Sequence, residues 1–269
     1  MTLSAIRRTC LALAMCVVAS AASAQTPAPA DDTFKPRVGQ QGKDVVWVPT
    51  PDALVERMLD LAKVTSSDYV IDLGSGDGRT VIAAAKRGAR AHGIEYNEDM
   101  VALAIDAARR AGLSDRATFE KADLFQSDFS KASVITMFLL SQINLKLRPI
   151  LLDLPTGTRL VSNTFKMSDW EPDETSTIGD CASWCDAHLW IVPAKVDGTW
   201  QLGGRDLVLS QQFQRFSGTL IGTPIGDGRL VGDEISFTVG AARYTGKVTG
   251  NRIEGTIANG PAATWEATR

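Results

Sequence analysis

The run Val70-Ile71-Asp72-Leu73-Gly74-Ser75-Gly76-Asp77-Gly78-Arg79 constrains this 269-residue chain more than any other segment. Residues 69–73 are almost continuously apolar, the pattern of a strand buried on both faces of a parallel sheet. Gly74 and Gly76 carry no β-carbon, so the backbone there can turn sharply and lie against a ligand. The loop opens onto a helical run at 80–87, stopped by Gly88. Strand, glycine loop and helix in that order predict an α/β unit with a ligand-cradling turn.

Glycine spacing narrows the ligand. A dinucleotide fingerprint, G-x-G-x-x-G, would place its third glycine at position 79, where this chain has Arg79. Here the glycines stand at 74, 76 and 78. S-adenosylmethionine (SAM) carries no phosphate; it needs close backbone approach to its methionine arm and a carboxylate near its cationic groups. Asp72 supplies that carboxylate. Glu95 ends a second strand-like run at 91–95, one strand–helix–strand unit later, and its two oxygens can accept both ribose hydroxyls. A third run at 117–123 ends in Asp123, an acceptor for an adenine amino group.

Further units alternate. Residues 52–63 read as an amphipathic helix that can cover a cofactor, and 98–111 as a helix with Asn97 as N-cap and Gly112 as stop. Residues 133–140 read as a fourth buried strand, and 143–154 as a helix that Pro149 must kink or restart. Strands at 159–165 and 189–192 follow, separated by a long loop. The expected architecture is a Rossmann-like, mostly parallel α/β sheet. Beyond about position 195 the composition turns glycine-rich and no helix is evident. Ile235, Phe237 and Val239 alternate with polar residues, and Gly232-Asp233 and Gly250-Asn251 sit where hairpin turns belong. Residues 196–269 are therefore expected to form a small all-β meander, a barrel or a sandwich. Trp200 and Trp265 are read as core residues of that unit rather than ligand platforms.

The N-terminus reads as a targeting segment. Arg7 and Arg8, the apolar run 10–22 and Ala22-Ser23-Ala24 make a signal peptide over residues 1–24, and the predicted location is outside the cytoplasm, in the periplasm. The apolar run is too short for a stable membrane span. Residues 25–44 are expected to be a disordered arm, leaving 45–195 for the α/β domain. Cys181 and Cys185 suggest a disulfide in an oxidising compartment, with free thiols or a metal site as the other readings. With only His188 beside them, a closed zinc site lacks a fourth ligand, and no metal is expected. The net charge of −3 gives no basic footprint, so a nucleic-acid partner is not expected.

The strand–loop–acid pattern resembles class I SAM-dependent methyltransferases. More narrowly, residues 47–173 are similar to the protein-lysine methyltransferases acting on mitochondrial adenine nucleotide translocase and the ATP synthase c subunit. The likeness rests on 72–79, on 81–88, on Gly93-Ile94-Glu95-Tyr96-Asn97, on Asp123-Leu124-Phe125 and Asp128-Phe129-Ser130, and on residues 163–170. It implies that Asp72, Gly74, Ser75, Gly76 and Gly78 line the methionine side, that Glu95 holds the ribose with Tyr96 a further cofactor-binding residue, and that Asp123 and Leu124 frame adenine. It implies that residues 138–141 face the transferable methyl. It makes the acceptor a protein amine first and a small molecule second. Ser141 and Asn163 are candidates for orienting the acceptor, with Phe165 and Trp170 for walling its channel. Two features depart from the family: Phe138-Leu139-Leu140-Ser141 replaces the polar, proline-containing motif of many amine methyltransferases, and a β-domain is appended. The rival readings are an exported binding module with a catalytically silent α/β domain, and an NAD-dependent oxidoreductase, which Arg79 disfavours.

Overall fold

The computed structural model describes residues 34–260 and 262–269; the signal-peptide segment lies outside the described residues. The α/β part begins with α1 (Asp52–Leu61), β1 (Tyr69–Leu73) and α2 (Arg79–Lys86), then β2 (Arg90–Glu95) and α3 (Glu98–Arg110). β3 (Ala117–Lys121), β4 (Val134–Met137), α4 (Ser141–Leu152) and β5 (Arg159–Asn163) complete the alternating run. β6 (Glu174–Thr177) and β7 (Asp186–Ile191) then form a hairpin. The sheet order is β3-β2-β1-β4-β5-β7-β6. The first five strands pair in parallel, and β7 runs antiparallel to both β5 and β6.

This sheet is buried on both faces, which is why β1, β4 and β5 lack polar–apolar alternation. Leu54, Val55 and Met58 of α1 and Val81 of α2 cover one face. Ile143, Leu147 and Leu151 of α4 cover the other, together with Trp170 and Trp190. Asn97 caps α3 as its sequence predicts, its Oδ1 accepting from Asp99 N at 2.9 Å and Met100 N at 3.1 Å.

Three expectations are corrected. Pro149 does not restart its helix: α4 runs through it as one element. The long loop after β5 contains the strand β6, whose four polar residues carry no apolar signal. The arm is not loose throughout. From Arg37 it folds back on itself, with Gly39 N donating to Trp47 O (2.8 Å), Trp47 N to Gln40 O (2.9 Å) and Gly42 N to Val45 O (3.0 Å).

The remaining strands are β8 (Gly198–Leu202), β9 (Arg205–Gln212), β10 (Arg215–Leu220), β11 (Thr223–Pro224), β12 (Gly226–Val231), β13 (Glu234–Val239), β14 (Ala242–Thr249), β15 (Arg252–Ala258) and β16 (Thr264–Thr268). Their order is β11-β10-β12-β13-β14-β15-β16-β8-β9, and β9 also pairs with β10. The meander thus closes on itself as an antiparallel barrel with β11 as a spur, which removes exposed edges. Its interior is solid. Tyr244 stacks on Phe237 at 4.7 Å between ring centroids, and Trp265 meets Phe237 edge-on at 5.5 Å. Trp200 is fully buried and donates to Val196 O, so both barrel tryptophans belong to the core.

Barrel and α/β domain are joined by matched polar and aromatic contacts. Asp173 pairs with Arg229 at 2.9 Å, Gln214 Nε2 donates to Glu171 O at 2.7 Å, and Phe213 stacks on Trp170 at 5.7 Å.

Candidate functional site

The parallel strands end together, and their carboxyl edge opens into a cleft whose empty volume, mouth included, is about 1050 Å³. In an open α/β sheet this is where ligands bind, because the strand-to-helix loops diverge there. The cleft brings together Asp72, Gly74, Ser75, Gly76, Glu95, Tyr96, Asp123 and Leu124 from three successive loops.

The glycine loop and Glu95 are built as one object. Glu95 Oε2 accepts from Gly76 N at 3.0 Å, and Oε1 accepts from Asn97 N at 2.9 Å. A carboxylate offers about four acceptor positions, so these two bonds aim the group and leave capacity for a pair of hydroxyls. Gly76 has φ +53°, and a β-carbon there would lie 2.7 Å from Trp47 Nε1. The loop must therefore be bare for both conformation and space.

Asp72 is buried, with Thr136 Oγ1 donating to its Oδ1 at 2.6 Å. Burial pushes its carboxyl up to about 7, and the nearby acids Glu95 and Asp77 push the same way. Ser75 Oγ is buried and has no partner among the described residues.

Gly78 departs from its expected role. It does not line the cleft; a β-carbon there would strike the Phe119 ring and Ala104 Cβ, so it serves the packing of α2 against α3 and β3. Arg79, the residue in place of a third fingerprint glycine, grips Asp77 through Nε and Nη2 and donates from Nη1 to Thr50 O at 2.9 Å. It ties the glycine loop to the chain entering α1.

Sequence reasoning missed the folded arm. Residues 40–50 form one wall of the cleft. Lys43 Nζ sits 2.6 Å from Asp123 Oδ2 and 4.9 Å from the centre of the Tyr96 ring. This pair holds Lys43 above and Asp123 below their ordinary pKa values. Asp123 also accepts from Phe125 N, so one oxygen faces Lys43 and the other a backbone donor. The only signal in the sequence was the short apolar run Val45-Val46-Trp47-Val48 between the polar arm and Pro49.

The four acceptor-side candidates separate. Phe165 lies beside Phe138, a cleft residue, at 6.0 Å between ring centroids. Trp170 does not wall a channel: it is fully buried between Trp190 and Phe213 at the barrel junction. Asn163 is fully buried too, donating to Thr50 Oγ1 at 3.2 Å and accepting from Thr164 Oγ1, so it anchors the start of α1. Ser141 is exposed at the first turn of α4, outside the cleft lining.

Cys181 and Cys185 form a disulfide. His188 is not a ligand beside it: Nε2 donates to Thr164 O at 3.1 Å and Nδ1 accepts from Thr175 Oγ1 at 2.9 Å.

A bare loop, a buried carboxyl facing the cleft and a pre-aimed acid one strand away suit a cationic nucleoside with free ribose hydroxyls. The comparisons agree. The family model of the ANTKMT methyltransferase domain matches residues 72–174. A protein-lysine N-methyltransferase of Saccharolobus islandicus is 42% identical over 139 residues, covering 51% of this chain and 86% of that protein. The Mus musculus lysine N-methyltransferase of the ATP synthase c subunit is 35% identical over 139 residues, and the match spans only 56% of its length. Among solved structures, an RNA methyltransferase from Salinibacter ruber in complex with S-adenosylhomocysteine (SAH) is 45% identical with a TM-score of 0.53. The likeness covers 55% of this chain and 96% of that one. The barrel lies beyond the family match.

Proposed function

We propose that this chain, which belongs to the ANTKMT family of SAM-dependent methyltransferases, methylates the ε-amine of a lysine in a protein. The observation that carries the reading is the cleft at the carboxyl edge, with Glu95 fixed by Gly76 at one end and Phe138 beside Phe165 at the other. The lysine acceptor is supported by the names of the relatives, and the net charge of −3 offers no field to draw in a polyanion.

In this reading Asp72, Gly74, Ser75 and Gly76 hold the methionine arm, Glu95 and Tyr96 the ribose, and Leu124 and Asp123 the adenine. Bound SAM would supply an electrophilic methyl on a sulfonium, and a lysine amine that had lost its proton to water would be the group to receive it. The chain's contribution is alignment and dryness. The folded arm walls the cleft, Arg79 and Asn163 fix the arm's end through Thr50, and the apolar Met137 and Leu139 line it.

We further propose that the protein acts after export, with residues 1–24 removed. The charged start, the short apolar run and the disulfide support this.

The test is to incubate the purified chain with SAM and a protein extract of its own envelope, then map methylation by peptide mass spectrometry. Single-methyl increments on lysine are expected. Methyl groups confined to RNA or to small molecules would overturn the lysine assignment.

A further inference from the structure

The β6–β7 hairpin reaches past the carboxyl edge of the sheet. Asn163, the last residue of β5, pairs with Ala187, and Thr177 of β6 pairs with Asp186. The tip of the hairpin, residues 178–185, therefore projects beyond the carboxyl edge of the sheet, on the side where the cleft opens. The tip is closed twice, by Ile178 N donating to Cys185 O at 3.0 Å and by the Cys181–Cys185 disulfide.

Within the disulfide ring, next to Cys185, stands Trp184, in a left-handed backbone conformation with φ +60°. Such a conformation is costly for a tryptophan and persists when the surroundings impose it. Trp184 is 38% exposed. Its ring meets Phe165 at 5.5 Å and Phe138 edge-on at 5.7 Å, and Phe138 in turn lines the cleft. Three rings from three loops, after β4, after β5 and at the hairpin tip, thus form one half-exposed aromatic surface beside the cofactor cleft.

Resting on the lysine-methylation reading above, we infer that Trp184, Phe138 and Phe165 form the acceptor-binding collar, and that the Cys181–Cys185 loop exists to hold Trp184 in it. Aromatic faces carry negative potential and attract ammonium groups, most strongly where water is displaced. They also bury the alkyl stem of a lysine. Methylated amines, bulkier and less hydrated, gain most from such faces, so the collar suits an enzyme that returns to the same nitrogen.

The experiment titrates the SAH-saturated full chain with Nα-acetyl-trimethyllysine amide, and with Nα-acetyl-norleucine amide as the uncharged counterpart, following tryptophan fluorescence and NMR line positions. Wild-type protein should bind the trimethyllysine probe and bind the norleucine probe more weakly. Trp184→Ala should weaken the trimethyllysine probe by roughly three- to thirtyfold, and Trp184→Phe should restore part of the loss. Cys181→Ser with Cys185→Ser should shift it in the same direction. SAH affinity should stay unchanged in all three, which also verifies the fold. Equal probe affinity in wild type and Trp184→Ala overturns the collar, as does equal binding of the two probes. Failure of wild-type protein to take up SAH would instead strike at the cofactor assignment, so the two failures are distinguishable.

Discussion

Gly76 N donates to Glu95 Oε2 across 3.0 Å, so the loop after the first strand and the acid ending the second form a single hydrogen-bonded unit. In the proposed reading, the bond joins the loop that holds the methionine arm to the acid that holds the adjoining ribose. It also explains why a left-handed glycine and a strand-end acid must coexist: neither is correctly placed without the other.

Gly76→Ala should disable the site. A β-carbon would lie 2.7 Å from Trp47 Nε1 in a backbone already at φ +53°, so the arm must lift away. The left-handed strain alone costs about 1 kcal/mol. SAH binding should weaken by more than the roughly fivefold that this strain explains, and Trp47 fluorescence should shift toward that of an exposed indole. Unchanged binding would mean the arm does not depend on the loop.

Asp72 makes both stability and binding depend on pH. Folded, it holds its proton up to about 7, whereas the ordinary value is 3.8. Between those values the folded chain carries the extra proton, so stability falls as pH rises through this window. The cost reaches at most about 4 kcal/mol, at about 1.4 kcal/mol per pKa unit. Asp72→Asn should flatten the dependence of Tm on pH from 4 to 7. A ligand ammonium favours the carboxylate, so SAH affinity should rise from pH 6 to 8 with proton release at pH 6, measured by calorimetry in two buffers of different ionisation heat. Absence of proton release would remove Asp72 from the methionine arm.

Lys43→Ala should speed cofactor exchange. Lys43 bridges the arm to Asp123 and covers the Tyr96 ring, but both partners of the ion pair are partly exposed, so the effect is modest. The dissociation rate of SAH by stopped-flow should rise about two- to fivefold. Slower exchange would show that Lys43 competes with the adenine for Asp123.

The barrel is expected to be a fixed part of the enzyme. Asp173 is buried at the junction and its carboxyl is pushed up by burial, with Arg229 opposing. Arg229→Met strands that acid and should cost about 1–3 kcal/mol, less than a fully buried pair because Arg229 is partly exposed. Adding Asp173→Asn should recover much of the loss in denaturant unfolding. Strict additivity would mean that the pair is not coupled.

Much of this was legible in the chain because the chemistry was local. A glycine loop after an apolar run, an N-cap asparagine before a helix and an alternating strand each announce themselves within about ten residues. Glu95 was placed from spacing alone because one strand–helix–strand unit has a nearly fixed length. What stayed hidden was tertiary. Trp170 and Asn163 look like site residues in sequence, yet the docked barrel covers one and Thr50 engages the other. Gly78 shares the loop motif but faces Phe119 rather than the cleft. The arm around Lys43 is polar, and the apolar run at 45–48 hints only that something packs there; nothing local foretold that Asp123, far along the chain, would hold Lys43 down.

The most direct measurement is calorimetric titration of the purified chain with SAH and with NAD, repeated on Glu95→Ala. The account predicts single-site binding of SAH, no heat with NAD, and a loss of about 1.5–3 kcal/mol in the variant, the worth of hydrogen bonds to a charged group. Binding of NAD in place of SAH, or full SAH affinity without the Glu95 carboxylate, would contradict it.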